Sequence, residues 1–292
     1  MKPSRFRYFL AHGIDEAAHL LAEQGEEARV LAGGQSLMPL MNLRLARPSA
    51  LIDLNEIHAL AYVRPWHGGL ALGAMTRDAD LESDALTAER LPLLIEAARH
   101  VGHPAIRNRS TVGGSIAHAD PAAELPAVML ALDAEMEVYS ASGSRTIVAR
   151  DFYRGPFQTS MQHGEILAEV RVPGLPSRSG SAFLEFARRE GDYALAGVAA
   201  IVALDEDGTI ASARLGLCSV GQTPVRASAA EALLKGRRPD RGTWRSAAEA
   251  VVSALNEPPS DIHGSADYRR HLAGVLTQRA LVLAAERAER NR

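Results

Sequence analysis

Two glycine pairs are the first residues whose type and spacing suggest chemistry. Ala32-Gly33-Gly34-Gln35-Ser36 follows the apolar run Val30-Leu31, and Thr111-Val112-Gly113-Gly114-Ser115 repeats the order Gly-Gly and then a hydroxyl residue. Paired glycines admit φ > 0 and let a ligand approach the main chain. Successive N–H groups can then converge on an anion. Two such loops in one chain predict a long ligand anchored at both, such as a dinucleotide. A carboxylate a few residues after a diphosphate loop can accept ribose hydroxyls, and Asp120 and Glu124 stand in that position. The plain alternative is that Asp120-Pro121 simply starts the helix that carries Glu124; the two readings are compatible.

Other chemistries fit less well. His103, His118, Asp120 and Glu124 share one stretch, but their intervals are irregular and prolines intervene, unlike the short regular spacing of zinc sites. No metal site is expected. Ser36 and Ser115 lack the Gly-x-Ser-x-Gly of a nucleophile elbow. Neither the P-loop string nor the Rossmann Gly-x-Gly-x-x-Gly occurs. Any phosphate cradle here lies outside the common fingerprints.

The elements that must position these residues fall into three units, 1–57, 58–175 and 176–292. In the first, Ile14 to Gln24 has helical apolar spacing with Asp15 and Glu16 at its start, and Gly25 ends it. Strands are expected at Ala28–Leu31 and Ala50–Leu54, with a short helix after Ser36 whose Met/Leu stripe is core packing. In the second, a hairpin turns at His67-Gly68-Gly69. Thr76 is the expected N-cap of a helix beginning near Asp78, and Pro92 to His100 forms another helix. Val101 to Pro126 reads as a long irregular connection rich in Gly and Pro, of the kind that carries function. Pro126 to Leu132 is helical, Glu135–Tyr139 and Thr146–Val148 pair as a hairpin, and Ile166–Val172 is a strand. After the linker PGLPSRSG at 173–180 come three strands, Ser181–Ala187, Ala194–Leu204 and Ile210–Ser219. Helices follow at Ala227–Lys235 and Tyr268–Arg290.

The chain has 292 residues, 47% hydrophobic and 23% charged, with a net charge of -3. That size suggests two or three domains, and that charge gives no reason to expect nucleic acid. No run of about 18 apolar residues suggests a membrane span. Residues 1–8 lack the apolar core of a secretory signal, so a reducing cytoplasm is the expectation. Cys218 is the single cysteine; it cannot hold an iron–sulfur cluster alone and reads as a buried structural thiol.

Three strings together, AGGQSLMPLMNLRLARP at 32–48, TVGGSIAHADPAAELPA at 111–127 and RREGDYALAGVAA at 188–200, resemble the FAD-binding medium subunit of the molybdenum hydroxylases, the carbon monoxide dehydrogenase and xanthine dehydrogenase family. The resemblance covers nearly the whole chain. It implies an α+β chain: a small N-terminal α/β domain and a larger α+β domain that share FAD, then a C-terminal domain with a three-stranded antiparallel sheet and helices. It implies that Ala32, Gly33, Gly34, Gln35, Ser36 and Leu37 wrap the pyrophosphate, and that Thr111, Gly114 and Ser115 form a second loop against the cofactor. Asp120 or Glu124 would bind on the adenosine side, Leu167 would touch adenine through its main chain, and Tyr193 would stand near the isoalloxazine. On this reading valine at Gly33 or Gly114 excludes the phosphates and abolishes FAD binding.

The resemblance further implies two partners, a large molybdopterin subunit that hydroxylates the organic substrate and a small subunit with two [2Fe–2S] clusters, in a dimer of heterotrimers. FAD here would pass electrons to NAD, a quinone or oxygen. No catalytic residue in the strict sense is expected. Relatives often carry a Lys before the double basic pair, where this chain reads Phe183-Leu184-Glu185-Phe186-Ala187, leaving Arg188 or Arg189 as its substitute. The branch with an extra iron–sulfur cluster in this subunit is excluded by the lone Cys218. The rival readings are a flavin-free scaffold and a stand-alone flavin oxidase.

Overall fold

The computed structural model describes residues 2–291; Met1 and Arg292, the outer bounds of the first and third expected units, lie outside the described residues. The chain begins with β1 (Arg7–Leu10), α1 (Ile14–Gln24), β2 (Ala28–Leu31), α2 (Leu37–Asn42) and β3 (Ala50–Asp53). These strands form a parallel sheet in the order β1-β3-β2, with Ala50 in register with both Arg7 and Ala28. Gly25 ends α1 with φ 78°, a backbone that favours glycine. Strand β1 was not foreseen: it is a mostly exposed edge strand with no alternating pattern to reveal it.

The middle of the chain supplies β4 (Val63–Trp66), β5 (Gly69–Gly73), α3 (Asp78–Ser83), α4 (Ala85–Arg90), α5 (Pro92–Ala98), α6 (Pro104–Arg107), α7 (Val112–His118) and α8 (Glu124–Ala131). It continues through β6 (Glu135–Ser140), β7 (Gly143–Val148), α9 (Ala149–Phe152), β8 (Tyr153–Gly155), β9 (Gln158–Thr159) and β10 (Ile166–Val172). Five strands pair as β4-β5-β10-β6-β7, all antiparallel. Helix α8 is buried at every position, from Glu124 to Ala131, and lies between this sheet and the next.

Two expectations are corrected here. Thr76 is not a helix cap. Its hydroxyl donates to the Tyr62 carbonyl at 2.9 Å and accepts the Tyr62 N–H at 3.1 Å, its N–H closes a turn onto Gly73 O at 3.0 Å, and α3 starts only after Arg77, without a side-chain cap. The stretch 101–126 is not an irregular connection either. It folds into α6, α7 and the start of α8, because Pro104 occupies a first helical turn and Thr111 caps α7.

The final part holds β11 (Ser179–Phe186), β12 (Ala196–Leu204), β13 (Ile210–Cys218), β14 (Val225–Arg226), α10 (Ser228–Leu234), α11 (Arg241–Ala254) and α12 (Ala266–Arg290). The expected three-stranded antiparallel sheet is present and gains a two-residue fourth strand, β14. Helix α12 crosses β11 closely: a Cβ at Gly180 would lie 2.2 Å from the Ala284 carbonyl, so glycine there and alanines at 273, 280, 284 and 288 set the spacing. Helix α11 was missed. Its buried Trp244, Ala247, Ala248 and Val251 do recur at helical spacing, and Asp240 caps it by accepting from Thr243 N–H at 2.8 Å. Half of that buried face is alanine, which gives little hydrophobic contrast.

Candidate functional site

The first glycine loop leaves β2 at Leu31 and ends at α2. Gly34 has φ 73°, as a glycine turn allows, and Gly33 does not. Among the described residues, the backbone N–H groups of Gly34, Gln35, Ser36 and Leu37 donate to no protein acceptor. Ser36 precedes α2 without capping it through its hydroxyl. A set of unused amides beside a glycine turn is what an anion cradle requires.

A polar frame holds this loop from below. Asn55 Nδ2 donates to the Ala32 carbonyl at 3.0 Å, and its Oδ1 accepts from Arg77 at 2.7 Å. Arg77 also donates to the Arg109 carbonyl, so one guanidinium joins the first loop to the segment before the second glycine pair. Burial lowers the Arg77 pKa. Asp53 anchors the other side, accepting from Asn55 N–H at 2.8 Å and Tyr8 hydroxyl at 2.7 Å. Asn55→Ala removes the tie to Ala32 and leaves Arg77 short of an acceptor, a loss of about 1–2 kcal/mol. We expect ligand affinity at this loop to fall about tenfold and the unfolding temperature by about 2–8 °C, readable by ligand titration and calorimetry of the purified protein.

The second glycine pair does something different. It occupies the first turn of α7, and its amides are already used. Val112 N–H donates to Thr76 O at 3.0 Å, Gly113 to Ala74 O at 2.9 Å, Gly114 to Thr111 Oγ1 at 3.0 Å and Ser115 to Thr111 O at 2.9 Å. Neither glycine has positive φ. Gly113 is there because a Cβ would lie 2.4 Å from the Ala74 Cβ. The expected second amide concavity is therefore corrected: close packing and a helix cap consume its donors. What remains for a ligand is the surface of Gly114 and the Ser115 side chain.

The carboxylates follow. Asp120 Oδ1 accepts Ala122 N–H at 2.9 Å, closing a turn, and Ser219 N–H donates to the Pro121 carbonyl at 2.7 Å. This clamps residues 120–124 against β13. Glu124 is 7% exposed, and its pKa is raised, by burial first and then by Asp78 and Asp120. Asp78 is fully buried; burial pushes its pKa up to about 6, and Ser110 donates to it. Tyr193 is 70% exposed. Its phenol pKa is nevertheless raised, first by desolvation and then by the charges of Asp120 and Glu124, as befits a ring standing in an open cavity mouth with protein behind it. Asp120 and Glu124 thus share the Tyr193 end of the site.

The two glycine segments, Asp78, Asp120, Glu124 and Tyr193 line one cavity of about 800 Å³, within the range of about 300–1,000 Å³ usual for small-molecule and cofactor sites. Its wall contains Ala32, Gly33, Gly34, Gln35, Ser36 and Leu37 from the first loop, and Thr111, Gly114 and Ser115 from the start of α7. Asp120, Glu124, Leu167 and Tyr193 complete the thirteen residues singled out from the sequence. Leu167 enters beside Ile166, which packs with Ala28 and Leu54 in the N-terminal core. The wall also takes in residues not expected to bind a cofactor, among them Asp78, Ser110, His118 and the segment 161–165. Ser110 and His118 adjoin or belong to the second motif, where His118 was weighed only as a metal ligand, whereas Asp78 and 161–165 come from elements distant in the chain.

Arg188 and Arg189 are absent from this wall. Arg188 points instead to His263 Nδ1, 2.9 Å away, so the expected cationic substitute is not supplied by Arg188. His103 lies under Gly191, whose Cβ would meet its ring at 2.2 Å, and His118 packs on Phe157 with ring centres 5.0 Å apart. Among the described residues no three His, Cys, Asp or Glu side chains are placed to hold a metal ion. Cys218 is fully buried, and burial raises its thiol pKa well above the ordinary value. No helix among the described residues is long and apolar enough to cross a membrane.

Residues 4–175 match the family model described as the FAD binding domain in molybdopterin dehydrogenase, and residues 181–284 match the carbon monoxide dehydrogenase flavoprotein C-terminal domain. The 6-hydroxypseudooxynicotine dehydrogenase complex subunit alpha of Paenarthrobacter nicotinovorans is 44% identical over 288 residues, covering 99% of this chain and 97% of that protein. The carbon monoxide dehydrogenase medium chain of Hydrogenophaga pseudoflava is 38% identical, covering 96% and 97%. Among solved structures, the Hydrogenophaga pseudoflava carbon monoxide dehydrogenase superimposes with a TM-score of 0.95 at 39% identity, covering 98% and 99% of the two chains. Quinoline 2-oxidoreductase from Pseudomonas putida 86 gives 0.93 at 40% identity, covering 99% of each.

Proposed function

Because this chain belongs to the family of FAD-binding medium subunits of the molybdenum hydroxylases, we propose that it is the electron-transfer subunit of such a complex. It takes electrons from the [2Fe–2S] clusters of a small subunit and passes them to an outer acceptor. The observation that carries this reading is the first glycine loop, with four unused amides in the wall of the cavity where all thirteen expected residues meet.

The residues fit FAD. Gly34 to Leu37 offer main-chain donors, and Ser36 a hydroxyl, to the diphosphate. Gly114 and Ser115 close on the cofactor from α7. Leu167 marks the adenine end, and Tyr193 bounds the isoalloxazine end. Asp120 and Glu124 then serve the ribityl and ring side, which departs from the adenosine role the resemblance implied. The reason is the clamp on residues 120–124, which holds both acids at the Tyr193 end. FAD, when bound, accepts two electrons and gives them up again. The chain's own work is to hold it, tune it and limit access to its ring, and no side chain acts as a nucleophile.

The reading divides the chain at residues 57 and 175, supported by sheets that each stay within one segment. Its partners are a large molybdopterin subunit, which carries the organic substrate, and the small iron–sulfur subunit, in a dimer of heterotrimers within the cytoplasm. The acceptor is NAD, a quinone or oxygen. The test is purification in the presence of FAD. A yellow protein with an absorbance band near about 450 nm and one flavin per chain is expected. A colourless protein that refuses added FAD overturns the proposal and leaves a scaffold role.

A further inference from the structure

Behind the Tyr193 end of the cavity lies a buried acid without a matching cation. The Glu185 side chain is 3% exposed, and its Oε2 has no hydrogen-bond partner. Across the sheet Glu185 pairs with Gly197, and Gly197 pairs with Cys218. A Cβ at Gly197 would lie 2.5 Å from Cys218 Sγ and 3.8 Å from Glu185 Cγ. The three positions therefore share one face, and the lack of a side chain at Gly197 lets Cys218 Sγ, the Phe183 ring at 3.3 Å and the Glu185 stem close together over it. Helix α8 crosses that face: Ala127 O rests on Gly216, and Pro121 O accepts Ser219 N–H. This sets Glu124 over the Cys218 end of the row, with the cavity on its other side. At the opposite end His100 follows α5. Its side chain is 42% exposed, its Nδ1 is 3.9 Å from Glu185 Oε1, and its ring packs on Phe183.

The charges around this row do not neutralise it. From α5, Glu96 is engaged by Phe183 N–H at 3.0 Å and by Arg287 of α12 at 2.6 Å. From α6, Arg107 is paired with Glu82 and acts on His100 together with Glu96 and Glu190, while burial holds the His100 pKa down. Asp78 and Asp120 press on Glu124. Burial, and then Glu124, raise the Glu185 pKa. Both acids of the row thus have raised pKa values, Glu185 more strongly than Glu124.

We propose that His100, Glu185 and Glu124 form an acid relay that carries protons from solvent to the flavin end of the cavity, with Glu185 as its central carrier. The inference rests on the flavin reading above. Electrons arriving singly from iron–sulfur clusters bring no protons, so those taken up on two-electron reduction must come from water. For each one, the Glu124 O–H bond breaks as its proton enters the cavity. Glu124 regains a proton from Glu185, and Glu185 from water by way of the His100 imidazole. The electrons stay with the cofactor, and the three side chains end each cycle as they began.

Glu185→Gln keeps the shape and removes the titratable proton. In the FAD-free protein, infrared titration should show a protonated buried carboxyl at about pH 8 that is missing in E185Q. A carboxyl whose pKa is raised by folding binds more protons folded than unfolded, so stability falls as pH climbs above the ordinary value of 4.5. E185Q should therefore unfold at least about 2 °C higher than the parent at about pH 8, with the gap closing near pH 4.5. In the assembled complex, proton uptake after rapid mixing with dithionite, followed with an indicator dye, should slow by about tenfold or more. Glu185→Asp should restore part of the rate, and His100→Ala should slow it as well. An ionised Glu185 at about pH 7, or parental proton uptake in E185Q, overturns the relay. Failure of the parent to bind FAD overturns the flavin reading instead, and the infrared result distinguishes the two.

Discussion

Gly33→Val yields a folded protein whose hold on FAD is weakened by about ten- to a hundredfold. A side chain at Gly33 does not reach into the cavity. Its Cβ would lie 2.3 Å from the Arg109 carbonyl oxygen and 2.7 Å from the Ser110 Cα, both backbone atoms. Arg109 cannot withdraw easily, because its carbonyl is held by Arg77. The Gly33 loop must move instead, against the Leu54 N–H to Leu31 O bond at 3.0 Å and the Asn55 tie to Ala32. The displaced part is the run of amides at Gly34 to Leu37. The phosphates are held less well because their cradle is pushed out of place, rather than by steric exclusion as the sequence alone suggested. Overpacking of this kind costs about 1–3 kcal/mol. If that strain falls on the bound state, affinity drops by about ten- to a hundredfold or more, while the three hydrophobic clusters, centred away from this contact, keep the chain folded. Fluorescence titration with FAD and the flavin-to-protein ratio measure the effect. Gly13→Ala, with no neighbour within 4 Å of the added carbon, is the control that should keep its flavin. Stoichiometric flavin in G33V would show that the first loop is not the diphosphate cradle.

Sequence and structure agree where function leaves a local mark and part where it depends on contacts between distant segments. Gly34 was legible because a positive φ needs glycine, and the residues after it because short hydroxyl and amide side chains fit a ligand-facing turn. Gly113 was noticed for the right residue and the wrong reason: it lets α7 touch Ala74, a contact with a residue far earlier in the chain. Asn55 and Arg77 left no signal at all. They are separated by 22 positions, and Arg77 reaches a carbonyl 32 positions further on, so only the folded chain joins them. Glu185 was visible merely as a departure from a family pattern. Its meaning comes from burial across three strands, which alternation along β11 alone cannot reveal.

The second large effect is expected at Arg269. The residue is 3% exposed and belongs to the first turns of α12, where the sequence pattern marks it only as one more arginine on an amphipathic helix. In the fold its NH1 donates to Leu195 O at 3.0 Å and Ser219 Oγ at 2.8 Å, with Ala194 O and Ser219 O at 3.4 and 3.3 Å. Its NH2 binds Asp261 Oδ2 at 2.7 Å. Ser219 in turn donates through its hydroxyl to Ala194 O at 2.5 Å and through its N–H to Pro121 O. One guanidinium thus anchors the chain just after Tyr193 and, through Ser219, the turn that carries Asp120. Arg269→Met fills the space of the stem but leaves the Leu195 and Ser219 carbonyls without this donor, while Ala194 O keeps the Ser219 hydroxyl. Asp261, 43% exposed, becomes hydrated, but two buried carbonyls left unpaired cost about 1–3 kcal/mol each, about 2–6 kcal/mol in all, or roughly 4–24 °C in unfolding temperature at about 2–4 °C per kcal/mol. Arg269→Lys keeps the charge and loses the planar fork, so it should fall between the two. Because the first glycine loop lies on the other side of the cavity wall, R269M should still bind FAD. Its flavin should be more fluorescent and more open to quenching by iodide, since the Tyr193 side of the ring pocket is no longer fixed. Calorimetry and iodide quenching read the two effects separately. An R269M protein that melts within about 1 °C of the parent, with unchanged quenching, would remove Arg269 from any role in positioning Tyr193.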